Sequence, residues 1–246
     1  MEKLILATAV SAAFAVNAAY AQAPAAPAPE HAVTFNIAVT SDYRYRGISQ
    51  TRLKPALQGG ADYTHNPSGF YVGTWLSTIK WIKDANGGSD VEVDIYGGKR
   101  GSITEAVSYD VGVLTYIFPS NDLKPSANTT EIYGQVGFGP AYLKYSHSTA
   151  NLLGFANSKN SGYLDIGANI EIAEGTQLNL RAGRQTVKNS GAFSYTDWKI
   201  GVTKDFGIVS GSIAAIGTNT SSYVGPGTNG KNLGKTGVVV AVTKTF

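Results

Sequence analysis

About twelve segments of this chain alternate apolar and polar residues with a period of two, and that alternation most narrows what the chain can fold into. Between Val33 and Arg46, residues Val33, Phe35, Ile37, Val39, Tyr43 and Tyr45 share one face of an extended strand. Thr34, Asn36, Thr40, Asp42, Arg44 and Arg46 share the other. Val91, Val93 and Ile95 oppose Glu92, Asp94 and Tyr96. Leu164, Ile166, Ala168, Ile170 and Ile172 oppose Asp165, Asn169 and Glu171. At the end of the chain Val238, Val240, Val242, Lys244 and Phe246 oppose Val239, Ala241, Thr243 and Thr245. Past residue 21 no helical periodicity and no run of eighteen or more apolar residues occurs, so the reading is all-β without helical membrane spans. Two segments, 70–79 and 208–217, have no clear polar face, and their orientation stays open.

Alternation alone fits a soluble sandwich, with the apolar face as core, or a membrane barrel, with the apolar face toward lipid. The connections separate the two. Residues 47–55, 80–89, 119–129, 147–161, 188–194 and 218–235 are long or longer links, whereas 65–69, 139–140, 173–176 and 205–207 are short; 99–106 is intermediate. Short turns at one rim and long loops at the other are how transmembrane barrels are built. That arrangement predicts an antiparallel barrel of about twelve strands with short periplasmic turns and longer outer loops. It puts Tyr63, Phe70, Phe138, Phe206 and Phe246 near the periplasmic rim. Tyr43, Tyr45, Trp81, Tyr116, Tyr145, Tyr163, Tyr195 and Trp198 then fall near the outer rim, as a second aromatic girdle.

Residues 1–21 read as a secretory signal peptide: Lys3, an apolar run from Leu4 to Val16, and the small-x-small site Ala19-Tyr20-Ala21. Residues 22–32 read as an Ala/Pro-rich tether and 33–246 as the barrel. The chain contains no cysteine, so no disulfide framework is expected. Charged residues make up only 15%, low for a soluble domain, and the net charge of +3 is scattered, which argues against nucleic acid as a partner.

In such a barrel the polar faces project inward. Asp42, Arg44, Arg46, Asp62, Glu92, Asp94, Asp110, Glu131, Gln135, Lys144, Asp165, Glu171, Arg181, Asp197 and Lys199 are the candidate lumen-lining residues. Opposed charges on facing walls can set ion selectivity, and Arg44 with Arg46 is the candidate constriction. The same residues could instead pair and plug a narrow interior. An enzymatic reading, an outer-membrane hydrolase, has only His147 as a base, and its neighbours Ser146 and Ser148 point to the opposite strand face. No catalytic group, cofactor or metal-ligand spacing is found. Gly225-Pro-Gly-Thr-Asn-Gly-Lys231 lacks the Ser/Thr and helix of a phosphate-binding loop and reads as a surface loop.

Several segments together carry a family resemblance. They are Ser41-Asp-Tyr-Arg-Tyr-Arg-Gly-Ile-Ser-Gln-Thr51, Gln58-Gly-Gly-Ala-Asp-Tyr63, Ser68-Gly-Phe-Tyr-Val-Gly73, Glu92-Val-Asp-Ile-Tyr-Gly-Gly98, Tyr109-Asp-Val-Gly112, Thr130-Glu-Ile-Tyr133 and Tyr195-Thr-Asp-Trp-Lys-Ile-Gly201. The chain resembles the TorF-type porin family of proteobacterial outer-membrane proteins, from about Thr34 to Phe246. The resemblance implies residence in the outer membrane, contact with its lipid, and recognition of Phe246 by the barrel-insertion machinery as an assembly signal. The function expected is passive diffusion of small hydrophilic solutes or ions. A non-conducting barrel with a structural or surface-interaction role is the alternative.

Overall fold

The structure, a computed structural model, describes residues 29–227 and 230–246. The segment read as a signal peptide and most of the one read as a tether lie outside the described residues. In chain order the elements are β1 (His31–Thr40), β2 (Arg44–Tyr45), β3 (Ile48–Ser49), β4 (Ala56–His65), β5 (Phe70–Thr78), α1 (Trp81–Asp84), β6 (Val91–Ser102) and β7 (Val107–Ile117). Then follow β8 (Thr129–Phe138), β9 (Ala141–Ser148), β10 (Gly162–Ala173), β11 (Thr176–Thr186), a 3-10 turn (Gly191–Phe193), β12 (Tyr195–Asp205), β13 (Ser210–Thr218) and β14 (Gly237–Thr245). No helix is long and apolar enough to cross a membrane.

All strands except β2 and β3 form one closed barrel of twelve antiparallel strands, in which β4 to β14 each pair with the next in sequence. β1 closes it, pairing β4 on one side and β14 on the other. Closure leaves no free edge, so the backbone hydrogen bonds of the ladders are met within the barrel. The closing seam is staggered. β14 pairs Asn36 to Thr40 of β1, while β4 pairs all of β1 from His31 onward. Phe246 adds one more rung, donating its N–H to Phe35 O at 2.9 Å and accepting from Phe35 N.

Alternation becomes geometry here. Val33, Phe35, Ile37 and Val39 of β1, Val238, Val240 and Val242 of β14, and Leu164 and Ile166 of β10 all face out and are exposed. In water such a surface would be unstable; it suits a lipid-facing band. β5 and β13, whose faces were ambiguous, resolve the same way. Phe70, Val72 and Leu76 face out opposite Gly73, Trp75 and Ser77, and Ile213 faces out opposite Ser212 and Ala214.

The connections sort into two rims. Residues 66–69, 103–106, 139–140, 174–175 and 206–209 form the short-turn rim; the 99–106 link is short because β6 runs on to Ser102. Residues 41–55, 79–90, 118–128, 149–161, 187–194 and 219–236 form the long-loop rim.

Two sequence expectations need correction. β1 stops at Thr40 rather than running to Arg46, and it begins at His31, inside the segment read as tether. The second aromatic girdle does not form. Tyr43, Tyr45, Tyr116, Tyr163 and Tyr195 are buried inside the barrel, and of the eight residues placed there only Tyr145 is a strongly exposed large side chain. At the short-turn rim Tyr63, Phe70, Phe138, Phe206 and Phe246 are all exposed outward. Parity explains the difference: Tyr116 and Tyr163 share strand faces with Asp110 and Asp165, not with the outward valines and leucines.

Candidate functional site

The lumen is shaped by a segment that belongs to no barrel strand. After Thr40 the chain turns inward, and β2 and β3 pair as a miniature hairpin, Arg44 with Ser49 and Tyr45 with Ile48. Its two-residue turn is Arg46-Gly47, with φ of +46° and +84°. Positive φ at both central positions gives the chain reversal that suits a tight hairpin. Gly47 is required twice over, since a Cβ there would also collide with Thr218 Cγ2 and Asp197 Cβ. Arg46 bears the left-handed conformation with a side chain attached, a cost that only strong tertiary contacts sustain.

Such contacts surround it. Arg46 Nη2 donates to Glu131 Oε2 and Nη1 to Gln185 Oε1, both at 2.6 Å. Its guanidinium also lies 4.7 Å from the Tyr45 ring centre and 4.2 Å from that of Tyr163. Arg44 ion-pairs with Asp42 and donates Nη1 to the carbonyls of Gly47, Leu233 and Lys235. Asp42 accepts from Ser49 Oγ as well. Tyr43 donates to Glu92 Oε1 at 2.9 Å and packs edge-on against Trp75. The hairpin is therefore tied to the walls at β6, β8 and β11 and to the 219–236 loop. Leu233 of that loop packs with Ile48 and Tyr195, so at this point the loop folds inward.

The sequence-derived lumen residues divide into groups. Glu92, Asp94, Asp110, Glu131, Gln135, Lys144, Asp165 and Asp197 are buried on inward strand faces. Asp62, Arg181 and Lys199 are partly buried on inward faces, with Asp62 accepting from Tyr96 and Asp197 from Arg181 Nη2 at 2.7 Å. Glu171 keeps the inward parity of Asp165 but is exposed at the short-turn rim, apart from the others. Asp42, Arg44 and Arg46 do reach the lumen, though from the hairpin and not from a barrel strand as expected.

Sequence reasoning set Tyr96 on a polar strand face but missed the other inward tyrosines and Gln185. Tyr71, Tyr96, Tyr133, Tyr142 and Tyr163 lie along the inner wall over glycines of neighbouring strands: Gly98, Gly73, Gly112, Gly167 and Gly183 respectively. A Cβ at any of these glycines would overlap a ring. In these five pairs the ring is accommodated where a side chain is absent. The parity of each tyrosine with a charged or polar inward residue was the available signal.

One space inside the barrel, of about 40 Å³, lies beside the hairpin, bordered by Arg44, Arg46, Lys144, Asp165 and Arg181. A larger one, of about 150 Å³, lies on the short-turn side of the hairpin, bordered by Asp42, Arg44, Asn179, Lys199, Ser212 and Thr243. Several buried polar atoms of the wall have no hydrogen-bond partner among the described residues, including Asp94 Oδ1, Gln135 Nε2, Asp165 Oδ1 and Arg181 Nε. Groups of this kind require water.

Outside the barrel wall, Lys83 and Asp90 pair at 2.9 Å in the long-loop region, and the hydrogen bond and charge of Lys83 hold the Asp90 carboxyl below its ordinary range. Ser146 and Ser148 are buried on the inward face of β9, whereas His147 meets Tyr145 and Asn160 on the other side. Nucleophile and base are thus kept apart. Metal-ligand spacing was not expected, yet Glu30, His31 and His65 converge at the short-turn rim.

A model of bacterial proteins of unknown function, Gcw_chp, matches residues 23–246. The chain belongs to the Gcw_chp family. No curated protein matches this Gcw_chp chain by sequence. Among solved structures, the KdgM porin aligns with a TM-score of 0.54 at 7% identity, covering 87% of this chain and 98% of that chain. The NanC porin aligns with a TM-score of 0.56 at 9% identity, covering 87% of this chain and 99% of that one. The Gcw_chp chain and these porins share a fold over nearly the full length of the porins.

Proposed function

We propose that this protein is an outer-membrane channel for passive diffusion of small hydrophilic solutes or ions, with the 41–55 segment as its constriction. The observation that carries this reading is an inward-folded hairpin presenting Arg44 and Arg46 to a closed, polar-walled lumen. The long-loop rim would face outward and the short-turn rim the periplasm, the usual orientation of such barrels. The outward apolar band would contact outer-membrane lipid. Phe246, hydrogen-bonded into the seam, would serve the insertion machinery as an assembly signal. The resemblance to TorF-type porins and the shared fold with KdgM and NanC porins support the same reading.

Mechanism then rests on bore and field. Permeating species would cross the short-turn cavity and then pass Arg44, Arg46, Lys144 and Arg181, where Asp42, Glu131 and Asp197 pair with the three arginines and Asp165 stands beside them. Opposed charges on facing walls of a low-dielectric neck set a transverse field that sorts ions by sign. The wall's unpartnered polar atoms favour a hydrated neck over a dry one.

One observation favours a second reading, a barrel that stays shut. The Arg46–Glu131 pair and the Tyr43–Trp75 and Tyr45–Tyr116 contacts pack the long-loop half of the lumen. Conductance of the purified protein in a planar bilayer separates the two. Discrete conductance steps with a non-zero reversal potential in a salt gradient are expected. Absence of steps would reject the channel in favour of the closed barrel.

A further inference from the structure

The short-turn rim holds a cluster that the channel reading does not use. The β1–β4 register sets His31 directly opposite His65, and their ring centres stand 5.1 Å apart. The two histidines are separated by a strand, a long loop and a second strand in sequence, so no spacing rule links them. Both keep the outward parity of Val33 and Tyr63, but they sit at the rim, beyond the apolar band and beyond the part of β1 that β14 covers.

The chemistry of the two rings is matched. His31 Nδ1 lies 2.8 Å from the Tyr63 hydroxyl, and His65 Nδ1 lies 2.6 Å from the Ser68 hydroxyl. In the tautomer that donates each Nδ1–H to its hydroxyl oxygen, each Nε2 presents the lone pair that a metal ion takes up in place of the apo contact with Glu30. Both Nε2 atoms turn to one carboxylate oxygen, Glu30 Oε1, at 3.4 Å from His65 and 3.7 Å from His31. Ligand atoms of all three residues lie within 4.8 Å of one another. Donors around a tetrahedral zinc ion, at bond lengths near 2.0–2.2 Å, are spaced by roughly 3.3 Å, so only a small contraction is needed. Hydroxyls on the far nitrogens are the outer support that metal-bound histidines use to hold ring and tautomer.

Glu30 is also positioned independently of its side chain. Asn66 N donates to Glu30 O at 2.9 Å, and Asn66 Nδ2 donates to Pro29 O at 2.6 Å. The β4–β5 turn thereby fixes the backbone that carries the carboxylate. The side chains of Glu30, His31 and His65 are 66%, 59% and 31% exposed, so an ion reaches them from solvent.

We propose that Glu30, His31 and His65 form a two-histidine, one-carboxylate site for a divalent transition-metal ion of the zinc type, with a fourth position open to water. Bound metal would clasp the free lip of β1 to the β4–β5 turn. The site stands whether or not the lumen conducts, because it lies outside the wall.

Zinc titration of the mature full-length barrel in detergent, followed by calorimetry, tests this. One zinc per chain is expected, with His31→Ala and His65→Ala each weakening binding at least tenfold and Glu30→Gln weakening it less. Cobalt should show the visible bands of a four-coordinate ion in the wild type and lose them in His31→Ala. His147→Ala, on the other rim, should bind like the wild type, and heat-dependent gel migration should confirm that every variant is folded. Failure of the wild type to bind zinc stoichiometrically, or wild-type affinity in either histidine variant, would overturn the site.

Discussion

Arg46 and Glu131 form an ion pair at 2.6 Å with side chains only 7% and 2% exposed, joining the hairpin after β1 to β8 across the lumen. Removing one member of such a pair leaves an uncompensated buried charge, at a cost of about 3–5 kcal/mol. Glu131→Gln keeps the shape while removing the charge that anchors Arg46. It should loosen the hairpin, lower the temperature of heat-modified migration and raise single-channel conductance. Unchanged conductance together with an unchanged melting point would show that the pair does not hold the constriction.

Selectivity follows from the sign of the same groups. Replacing Arg44 and Arg46 together by alanine removes two cations from the neck and leaves Asp42 and Glu131 without their partners. The reversal potential in a salt gradient should move toward cation preference. An identical potential in the double variant would take both arginines out of the selectivity-determining role.

Gly47 offers a backbone test. A left-handed conformation costs a residue with a Cβ about 1–2 kcal/mol, and here the added carbon also meets Asp197 and Thr218. Gly47→Ala should therefore displace the hairpin more than Gly191→Ala, which meets nothing within 4 Å. Protease accessibility of residues 41–55 in the folded barrel is the measurement. Equal protection in the two variants would contradict the turn geometry.

The two faces of β14 can be told apart directly. Val240 points out and is 47% exposed, while Ala241 points in. Arginine near the middle of a lipid-facing strand costs about 2–4 kcal/mol. Val240→Arg should reduce the stability of the barrel in lipid far more than Thr243→Arg, which enters the short-turn cavity. Similar losses for both would argue against a lipid-covered outer face.

At the long-loop rim the Lys83–Asp90 pair has a pH signature. Because the Asp90 carboxyl is held below its ordinary range, the folded state favours its charged form, and the contribution is complete above the unfolded value near 3.9. It fades as pH falls through the lower folded value. The Asp90 titration midpoint, followed by NMR, should rise in Lys83→Ala; no movement would remove Lys83 as the cause.

Much of the barrel was legible because strand parity is local. Val238, Val240 and Val242 declare an outward face with no knowledge of neighbours, and the lengths of 139–140 and 219–236 declare which rim each turn occupies. The hairpin was not legible. Tyr43 and Tyr45 continue the alternation of Val33 to Val39, and an extended pair of residues reads alike whether it continues upward or folds back inside. Nor was the rim cluster, because the meeting of His31 with His65 depends on register.

By itself the sequence determined an antiparallel β-barrel of about twelve strands with two unlike rims, since those follow from period and loop length along a single chain. Only the tertiary structure decided what the inward residues do. It folded 41–55 into the lumen, matched Arg46 to Glu131 and Gln185, laid tyrosines over glycines, and brought Glu30, His31 and His65 together. Pairing of charges is set by distance across the barrel, and that distance exists only once the ends of the sheet have met.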